Sequence, residues 1–302
     1  MTAIAPDRSA RAVPADLRRG AISGRRRFVD LLARVAIIAA LIVAIVPLGL
    51  VTIYVIIKGS QVMSLDFLTE RIPRQLDVAG GGMAPAIVGT LITTGVAALI
   101  AIPVGVLGAI YLNEYGKQSA LARTIRTMSD VMTGVPSIVM GLFIFIIFVL
   151  PMGEKNALAA ALALACLMLP VVIRTSEEML RLVPDELRQA SLALGARKWR
   201  TTLTVVLPAA ISGITSGALL AIARAAGETA PVVLVMGITY RTKWDLFGGN
   251  TSLPAQIYSN ASQPYDAAQA RGWGAALALV AIVLVMTLIG RFIANRYAIK
   301  ER

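Results

Sequence analysis

The sequence contains no histidine and only one cysteine in its 302 residues. The lack of histidine excludes metal sites and general bases that depend on imidazole. Cys166 lies within an apolar run and cannot form a disulfide within the chain, so we interpret it as a small packing residue. A phosphate-binding loop is also missing, because Gln118 follows Gly116-Lys117 and Tyr111 occupies the first position of that motif. We therefore predict a chain with no catalytic residues, no metal and no cofactor of its own.

Charged residues are scarce as well, at 15% of the chain against 57% hydrophobic residues. A soluble domain would carry about 25% charged residues. The uncharged stretches cover residues 35–57, 78–113, 131–153, 156–173, 201–223 and 272–290. Because about 20 apolar residues span a bilayer as a helix, we predict an all-α polytopic membrane protein with six transmembrane helices. A soluble core of buried helices would need amphipathic helices around it, for which the chain leaves no room.

The net charge of +12 would favour nucleic-acid binding in a soluble protein, but its distribution indicates a membrane instead. Lysine and arginine are concentrated in the segment that ends at Arg34, in residues 114–130 and 174–200, and in the tail from Arg291. Positive charge is enriched in the cytoplasmic parts of membrane proteins. The bias predicts cytoplasmic N and C termini, contact with membrane lipid and no nucleic-acid partner.

We divide the chain into a terminal segment and one membrane domain. Residues 1–30 are basic and are predicted to be a disordered cytoplasmic segment. The first apolar span has no convincing cleavage site, which indicates a retained membrane anchor. Residues 31–302 form the predicted six-span domain, in which Pro103 is expected to divide the second span.

The fifth apolar segment, residues 201–240, is too long for a single simple span. As one helix it would measure about 60 Å, against a hydrocarbon core of about 30 Å. We predict one long helix with a break at Gly227 and Pro231, because the proline cannot donate to the carbonyl of the glycine. Gly213-x3-Gly217 on the same helix permits close contact with a neighbouring helix.

Residues 184–208 form a polar and basic segment between apolar spans. Pro184 suits the first turn of a helix, and Gly195 can take the left-handed conformation that ends one. The mostly apolar face at helical spacing consists of Leu187, Ala190, Ser191 and Leu194. A second, basic segment then begins with Arg197, Lys198 and Arg200. Two short helices that meet at a glycine can fit a groove in a partner, or they can lie on lipid headgroups.

This segment closely resembles the EAA loop of ABC importer permeases, whose pattern is EAA-x3-G-x9-I-x-L-P. Gln189-Ala190-Ser191 is followed at the same spacings by Gly195 and by Val205-Val206-Leu207-Pro208. The residue types differ at three positions, where Gln, Ser and Val stand for Glu, Ala and Ile. The resemblance implies docking of two ATP-binding subunits, which hold ATP and Mg. The implied ATPase-coupling residues are Gln189, Ala190, Ser191, Leu194, Gly195, Arg197 and Pro208.

Four charged residues lie within or at the end of apolar spans. Arg224 and Glu228 interrupt the fifth span, where an ionised side chain costs about 2.5–3.5 kcal/mol near the bilayer centre. The two can pair at i and i+4 to fix the helix to a neighbour, or the guanidinium can offer a planar donor fork to an oxyanion in a path. Arg174 and Glu177 end the fourth span and either snorkel to the interface or face the same path.

Four runs of the sequence resemble the A-type permease subunit of phosphate-specific ABC importers. They are residues 81–90, 134–139, 174–180 and 223–231. The resemblance covers about residues 30–295 and implies the type I importer permease fold. It also implies a homologous C-type permease partner and an extracytoplasmic phosphate-binding protein. Two arginines and a glutamate that are implicated in phosphate passage in that family correspond to Arg174, Arg224 and Glu177.

Several alternatives stay open on the sequence. A permease for another oxyanion or small solute is the nearest, and the C-type partner subunit is another. A secondary transporter would work without an ATPase and would show inverted repeats, which we do not detect. A membrane-embedded enzyme would need a nucleophile motif, and the sequence has none that we recognise.

Overall fold

The computed structural model describes residues 24–297, which form helices and connecting segments without any strand. The helices are α1 (Gly24–Ser60), α2 (Leu65–Thr69), α3 (Ala84–Gly116), α4 (Ala120–Gly134), α5 (Ser137–Met152), α6 (Ala157–Arg181), α7 (Asp185–Ala193), α8 (Lys198–Ala226), α9 (Ala230–Val235), α10 (Leu253–Ala261) and α11 (Asp266–Tyr297). Three of these helices, α3, α5 and α8, contain a π-helical turn. The all-helical prediction is confirmed.

Within residues 24–297, five helices are long and apolar enough to cross a membrane, namely α1, α3, α6, α8 and α11. A sixth span results only if α4 and α5, which meet at 107°, are counted together. The predicted third span, about residues 131–151, is therefore not one continuous helix but the end of α4 and nearly all of α5. Val135 and Pro136 are extended at the bend, because a residue that precedes proline is pushed out of the helical region.

The chain divides into two compact units, one that ends at Tyr54 and one that begins at Val55. In the first unit α1 begins at Gly24, so residues 24–30 are helical and do not belong to a disordered segment. Residues 1–23, the rest of that predicted segment, lie outside the described residues. The packing and the candidate site described below belong to the second unit.

Helix α6 is the centre of the second unit. Helices α3, α4, α5, α8 and α9 all pack against it. Its buried face is rich in alanine, and Gly105 of α3 leaves room for Val172, whose Cγ1 would lie 2.7 Å from an added Cβ. Small residues let helices approach closely in a membrane, where packing drives association. Helix α3 continues through Pro103, so the predicted division of this span is wrong.

Helices α6 and α8 pack in antiparallel directions through the predicted small-residue motif. Gly217 lies against the side chain of Thr175, and Gly213 lies against that of Met179. A Cβ at either glycine would overlap the neighbouring side chain, so both contacts depend on the missing methyl group. The Gly213-x3-Gly217 motif thus sets the distance between these two helices.

The fifth predicted span ends earlier than expected. Helix α8 stops at Ala226, and Gly227 follows with an ordinary φ of −91°. Pro231 does not bend a continuing helix, because it lies in the first turn of the separate helix α9, where no backbone donor is needed. After α9 the chain is irregular until α10.

The segment that precedes α10 is fixed to α3. The backbone N–H of Leu253 donates to the Thr90 hydroxyl at 2.8 Å, and the Gln256 amide donates to the Thr251 hydroxyl at 3.0 Å. Gly89 of α3 faces the carbonyl oxygen of Thr251 so closely that a Cβ would overlap it. This glycine therefore permits a backbone-to-helix contact that no other residue type permits.

Candidate functional site

The polar segment begins with helix α7, as its sequence predicts. Pro184 precedes the helix, and Asp185 and Glu186 occupy its first turn, where the helix dipole favours negative charge. Gly195 follows with φ +81°, and the N–H of Ala196 donates to the carbonyl of Ser191 at 3.2 Å. A left-handed glycine and such a bond are the usual end of a helix.

The basic second segment is not a separate short helix. Arg197 precedes the first residue of α8, and the chain then continues as one helix to Ala226 through a π turn at Thr202–Val206. Pro208 lies just after this turn. A π turn widens the helix at the carbonyls with which a proline would otherwise clash. The start of α8 is therefore an extension of a membrane span, not an independent element.

The residues predicted to couple to an ATPase lie on an open surface of the second unit. Gln189, Ala190, Leu194, Gly195 and Arg197 are all exposed, and Leu194 is 89% exposed. No residue of α7 is buried. The Ser191 hydroxyl lies 2.9 Å from that of Thr201, while Pro208 is half-buried.

Helix α7 is held by an arginine that the sequence analysis did not single out. Arg188 forms an ion pair with Glu114 of α3, with its Nη2 and Nε atoms 3.1 Å and 3.2 Å from Oε1. It also donates to the carbonyl oxygens of Leu180 (2.8 Å) and Val183. Sequence reasoning missed this pair because its members are 74 positions apart. The one available signal was Glu114, which ends the uncharged stretch 78–113.

Glu177 is 2% exposed and lies between two arginines. Its Oε1 accepts from Arg126 Nε at 2.8 Å and from Arg181 Nη2 at 2.6 Å. Arg126, which the sequence analysis also missed, further donates to the carbonyls of Leu112 (2.9 Å) and Lys117 (3.0 Å). The carboxylate predicted to face a path is thus engaged in joining α4 to α6. Its role in the path stays a prediction.

Arg174 is more accessible than Glu177. It forms ion pairs with Glu178 at 3.0 Å and with Asp130 of α4 at 3.4 Å, and its side chain is 54% exposed. Both partners are more than half exposed as well. Exposed ion pairs of this kind contribute little to stability. Arg174 can therefore exchange its carboxylate partners for an anion at a small cost in free energy.

Arg224 lies near the end of α8, and Glu228 follows in the break before α9. The two form a loose ion pair with 3.8 Å between Nε and Oε1, a distance too long for a hydrogen bond. The arginine side chain is 69% exposed and that of Glu228 is 20% exposed. The planar guanidinium group therefore keeps its donors available to a ligand.

The structure places Arg174 and Arg224 on adjacent helices but at different levels. Because Thr175 faces Gly217 and the helices are antiparallel, Arg224 lies about 10 Å from the level of Arg174 along the bundle, at 1.5 Å per residue. The two arginines thus form successive cationic positions and not one shared site. Within residues 24–297 there is no group of three or more side chains suited to a metal ion.

Comparisons with known proteins agree with this geometry. Residues 101–299 match the family described as "Binding-protein-dependent transport system inner membrane component". The "Phosphate transport system permease protein PstA 1" of Mycobacterium tuberculosis (strain ATCC 25618 / H37Rv) is 43% identical over 282 residues, 90% of each chain. The "Phosphate transport system permease protein PstA" of Yersinia pestis is 42% identical over 236 residues, 78% of this chain and 80% of that protein.

Solved structures support the fold. A chain of the bacterial alginate ABC transporter, in complex with an alginate pentasaccharide-bound periplasmic protein, matches with a TM-score of 0.63 and 14% identity, over 89% of this chain and 96% of that chain. A chain of the MetNI methionine ABC transporter in an inward-facing conformation matches with a TM-score of 0.57 and 22% identity, over 72% and 94% of the two chains. At these identities the likeness concerns the fold alone.

Proposed function

The chain belongs to the family of binding-protein-dependent transport system inner membrane components, and we propose that it is the A-type permease subunit of an ATP-driven inorganic phosphate importer. The observation that carries the proposal is 43% identity over 90% of the chain to a phosphate transport system permease. The fold alone does not decide the substrate, because its structural neighbours include transporters of methionine and of alginate.

Arg224 is the residue that we assign to phosphate passage. Its exposed guanidinium group can form two parallel hydrogen bonds to phosphate oxygens, which a lysine cannot do. Glu228 holds the group loosely and competes with the anion, so that binding stays reversible. Arg174 offers a second position about 10 Å further along the bundle, where a phosphate released from Arg224 is received before it leaves the membrane.

We infer the partners from two exposed surfaces, the face of α8 that carries Arg224 and the segment 184–208. The exposed face of α8 that carries Arg224 meets the homologous C-type permease, and the path runs between the two subunits. Two ATP-binding subunits dock on the segment 184–208 in the cytoplasm, and both chain termini lie on that side. A phosphate-binding protein delivers its cargo to the opposite face. This chain forms no covalent bond to phosphate and hydrolyses no ATP.

Transport then requires two arrangements of the same helices. Binding and hydrolysis of ATP in the partner subunits move α7, and this movement switches access to Arg224 from one side of the membrane to the other. Differential contacts of the nucleotide with the two arrangements supply the energy. The anion is bound in one arrangement and released in the other.

The test is uptake of labelled phosphate by the complete importer in liposomes. We expect uptake to require ATP, and Arg224→Ala to lower it at least tenfold. Arg123→Ala removes an exposed arginine of α4 outside the proposed path and serves as the matched control with unchanged uptake. Full uptake without nucleotide would refute the proposal. A loss of sulfate uptake in Arg224→Ala, with phosphate uptake intact, would show that the substrate is wrong.

A further inference from the structure

Arg188 connects the docking helix α7 to two membrane spans at once. Its guanidinium group binds Glu114 in the π turn that ends α3, and it donates to the carbonyl of Leu180 in the last turn of α6. A third contact, with Asp185 Oδ1 at 3.1 Å, lies within α7 itself. One side chain therefore joins three helices, of which α3 is distant in sequence from the other two.

The Glu114–Arg188 pair differs from the other contacts of α7 in its burial. Glu114 is 5% exposed, and the side chain of Arg188 is 14% exposed. Two charges withdrawn from water in this way cannot separate without leaving one of them buried and unpaired. The Asp185 side chain, in contrast, is 73% exposed, and its contact with Arg188 can break at little cost. The buried pair is thus the stiff connection.

The stiff connection continues toward the arginine at the end of α6. Arg126 of α4 donates to the carbonyl of Leu112 in α3 and to that of Lys117 just after this helix, on either side of Glu114 in the chain. The same arginine pairs with the buried Glu177, which lies on α6 within one turn of Arg174. Ion pairs and hydrogen bonds to backbone carbonyls therefore link α7, through the end of α3 and through α4, to the helix that carries Arg174.

We propose that the Glu114–Arg188 ion pair is the joint through which movement of α7 reaches the membrane helices. Both are positioning residues, because neither needs to touch phosphate or nucleotide. The inference rests on the proposed function and adds to it the point of transmission. A break in this pair leaves α7 able to bind its ATPase, since the exposed docking surface is unchanged, but it lets α7 move without α3.

The test compares coupling in the reconstituted importer, with its permease partner, ATPase subunits and binding protein. The variants are Glu114→Gln, Arg188→Gln and the double substitution. Asp30→Asn is the control, because it removes a carboxylate from the exposed pair with Arg34 in the first unit. For each variant we measure the yield of ATPase subunits, the rate of ATP hydrolysis and the phosphate imported per ATP hydrolysed.

Both single variants should bind the ATPase subunits in normal amounts and hydrolyse ATP within about twofold of the wild-type rate. The phosphate imported per ATP should fall fivefold or more. The double variant should lose no more than the worse single variant, because contacting residues act as a unit. Asp30→Asn should keep the wild-type ratio. A purely structural defect would lower yield, hydrolysis and uptake together and leave the ratio unchanged.

A wild-type ratio of phosphate imported to ATP hydrolysed in either single variant would refute the proposed role of the Glu114–Arg188 pair. Should both amide variants fail to assemble, Glu114→Asp decides the question, because it keeps the charge but shortens the side chain. It should assemble and lower the ratio at least twofold, and a wild-type ratio in this variant would overturn the proposal. Uptake by the wild-type complex without ATP would instead refute the proposed function, so that the two failures are distinguishable.

Discussion

A single methyl group added at residue 89 tests how closely α3 approaches the chain before α10. A Cβ on Gly89 would overlap the carbonyl oxygen of Thr251, which is backbone and cannot rotate away. This backbone is also fixed, because Leu253 N–H is bonded to Thr90 and the Asn250 side chain accepts from the Thr251 N–H at 2.9 Å. Relief of the overlap requires α3 and the segment to separate.

The expected cost follows from this geometry. Overpacking of a close-packed interior costs about 1–3 kcal/mol, and a backbone obstacle places Gly89→Ala at the upper end, at about 3 kcal/mol. Gly95→Ala is the matched control on the same helix, because no atom lies within 4 Å of its added Cβ. Alanine in place of a helical glycine is worth about 0.5–1 kcal/mol, so the control should be slightly more stable than the wild type.

The measurement is thermal unfolding of the purified protein in detergent. At about 2–4 °C per kcal/mol, Gly89→Ala should melt about 6–12 °C below the wild type. Gly95→Ala should melt at or slightly above the wild-type temperature. If Gly89→Ala melts at the wild-type temperature while Gly95→Ala behaves as expected, the close approach of α3 to Thr251 is wrong.

Three further substitutions test the charged residues and the end of α7. Arg224→Lys keeps the charge without the donor fork, so phosphate uptake should fall about tenfold while the ATPase subunits still co-purify; unchanged uptake would contradict bidentate binding. Glu177→Gln should lower the free energy of unfolding by about 2–3 kcal/mol, because two arginines lose a buried charged acceptor. The control Glu178→Gln changes an exposed side chain and should alter the free energy of unfolding by less than about 0.5 kcal/mol in the same thermal assay. Gly195→Ala places a side chain at φ +81° and should destabilise the end of α7 by about 1 kcal/mol, which weakens co-purification of the ATPase subunits several-fold. Gly195→Asn should retain most of this co-purification, because asparagine tolerates the left-handed conformation.

The sequence predicts well those features that depend on near neighbours in the chain. The ends of α7 follow from Pro184 and Gly195, whose backbone preferences act within one turn. The apolar spans follow from the uncharged stretches. The contact of α8 with α6 follows from the small residues Gly213 and Gly217, although the sequence does not say which residues they meet.

The features that the sequence does not reveal depend on tertiary context. Pro103 leaves α3 unbroken and Pro231 begins a new helix, because the effect of a proline depends on whether neighbouring groups accommodate the missing donor. The Glu114–Arg188 pair joins residues 74 positions apart, and no local pattern indicates it. Glu177 shows the same limit for Arg126, which lies 51 positions away on α4, whereas Arg181 is at i+4 on the same helix.

The bend between α4 and α5 has a consequence for the surrounding lipid. From Ser137 to Met152, α5 rises about 24 Å, which is less than the hydrocarbon thickness of about 30 Å. Where α5 alone crosses the hydrocarbon, the bilayer in contact with it must thin locally, at a cost of a fraction of a kcal/mol for each ångström of mismatch. Shorter acyl chains therefore match the protein better along this side, and the choice of lipid enters the energetics of the transporter together with its nucleotide and its cargo.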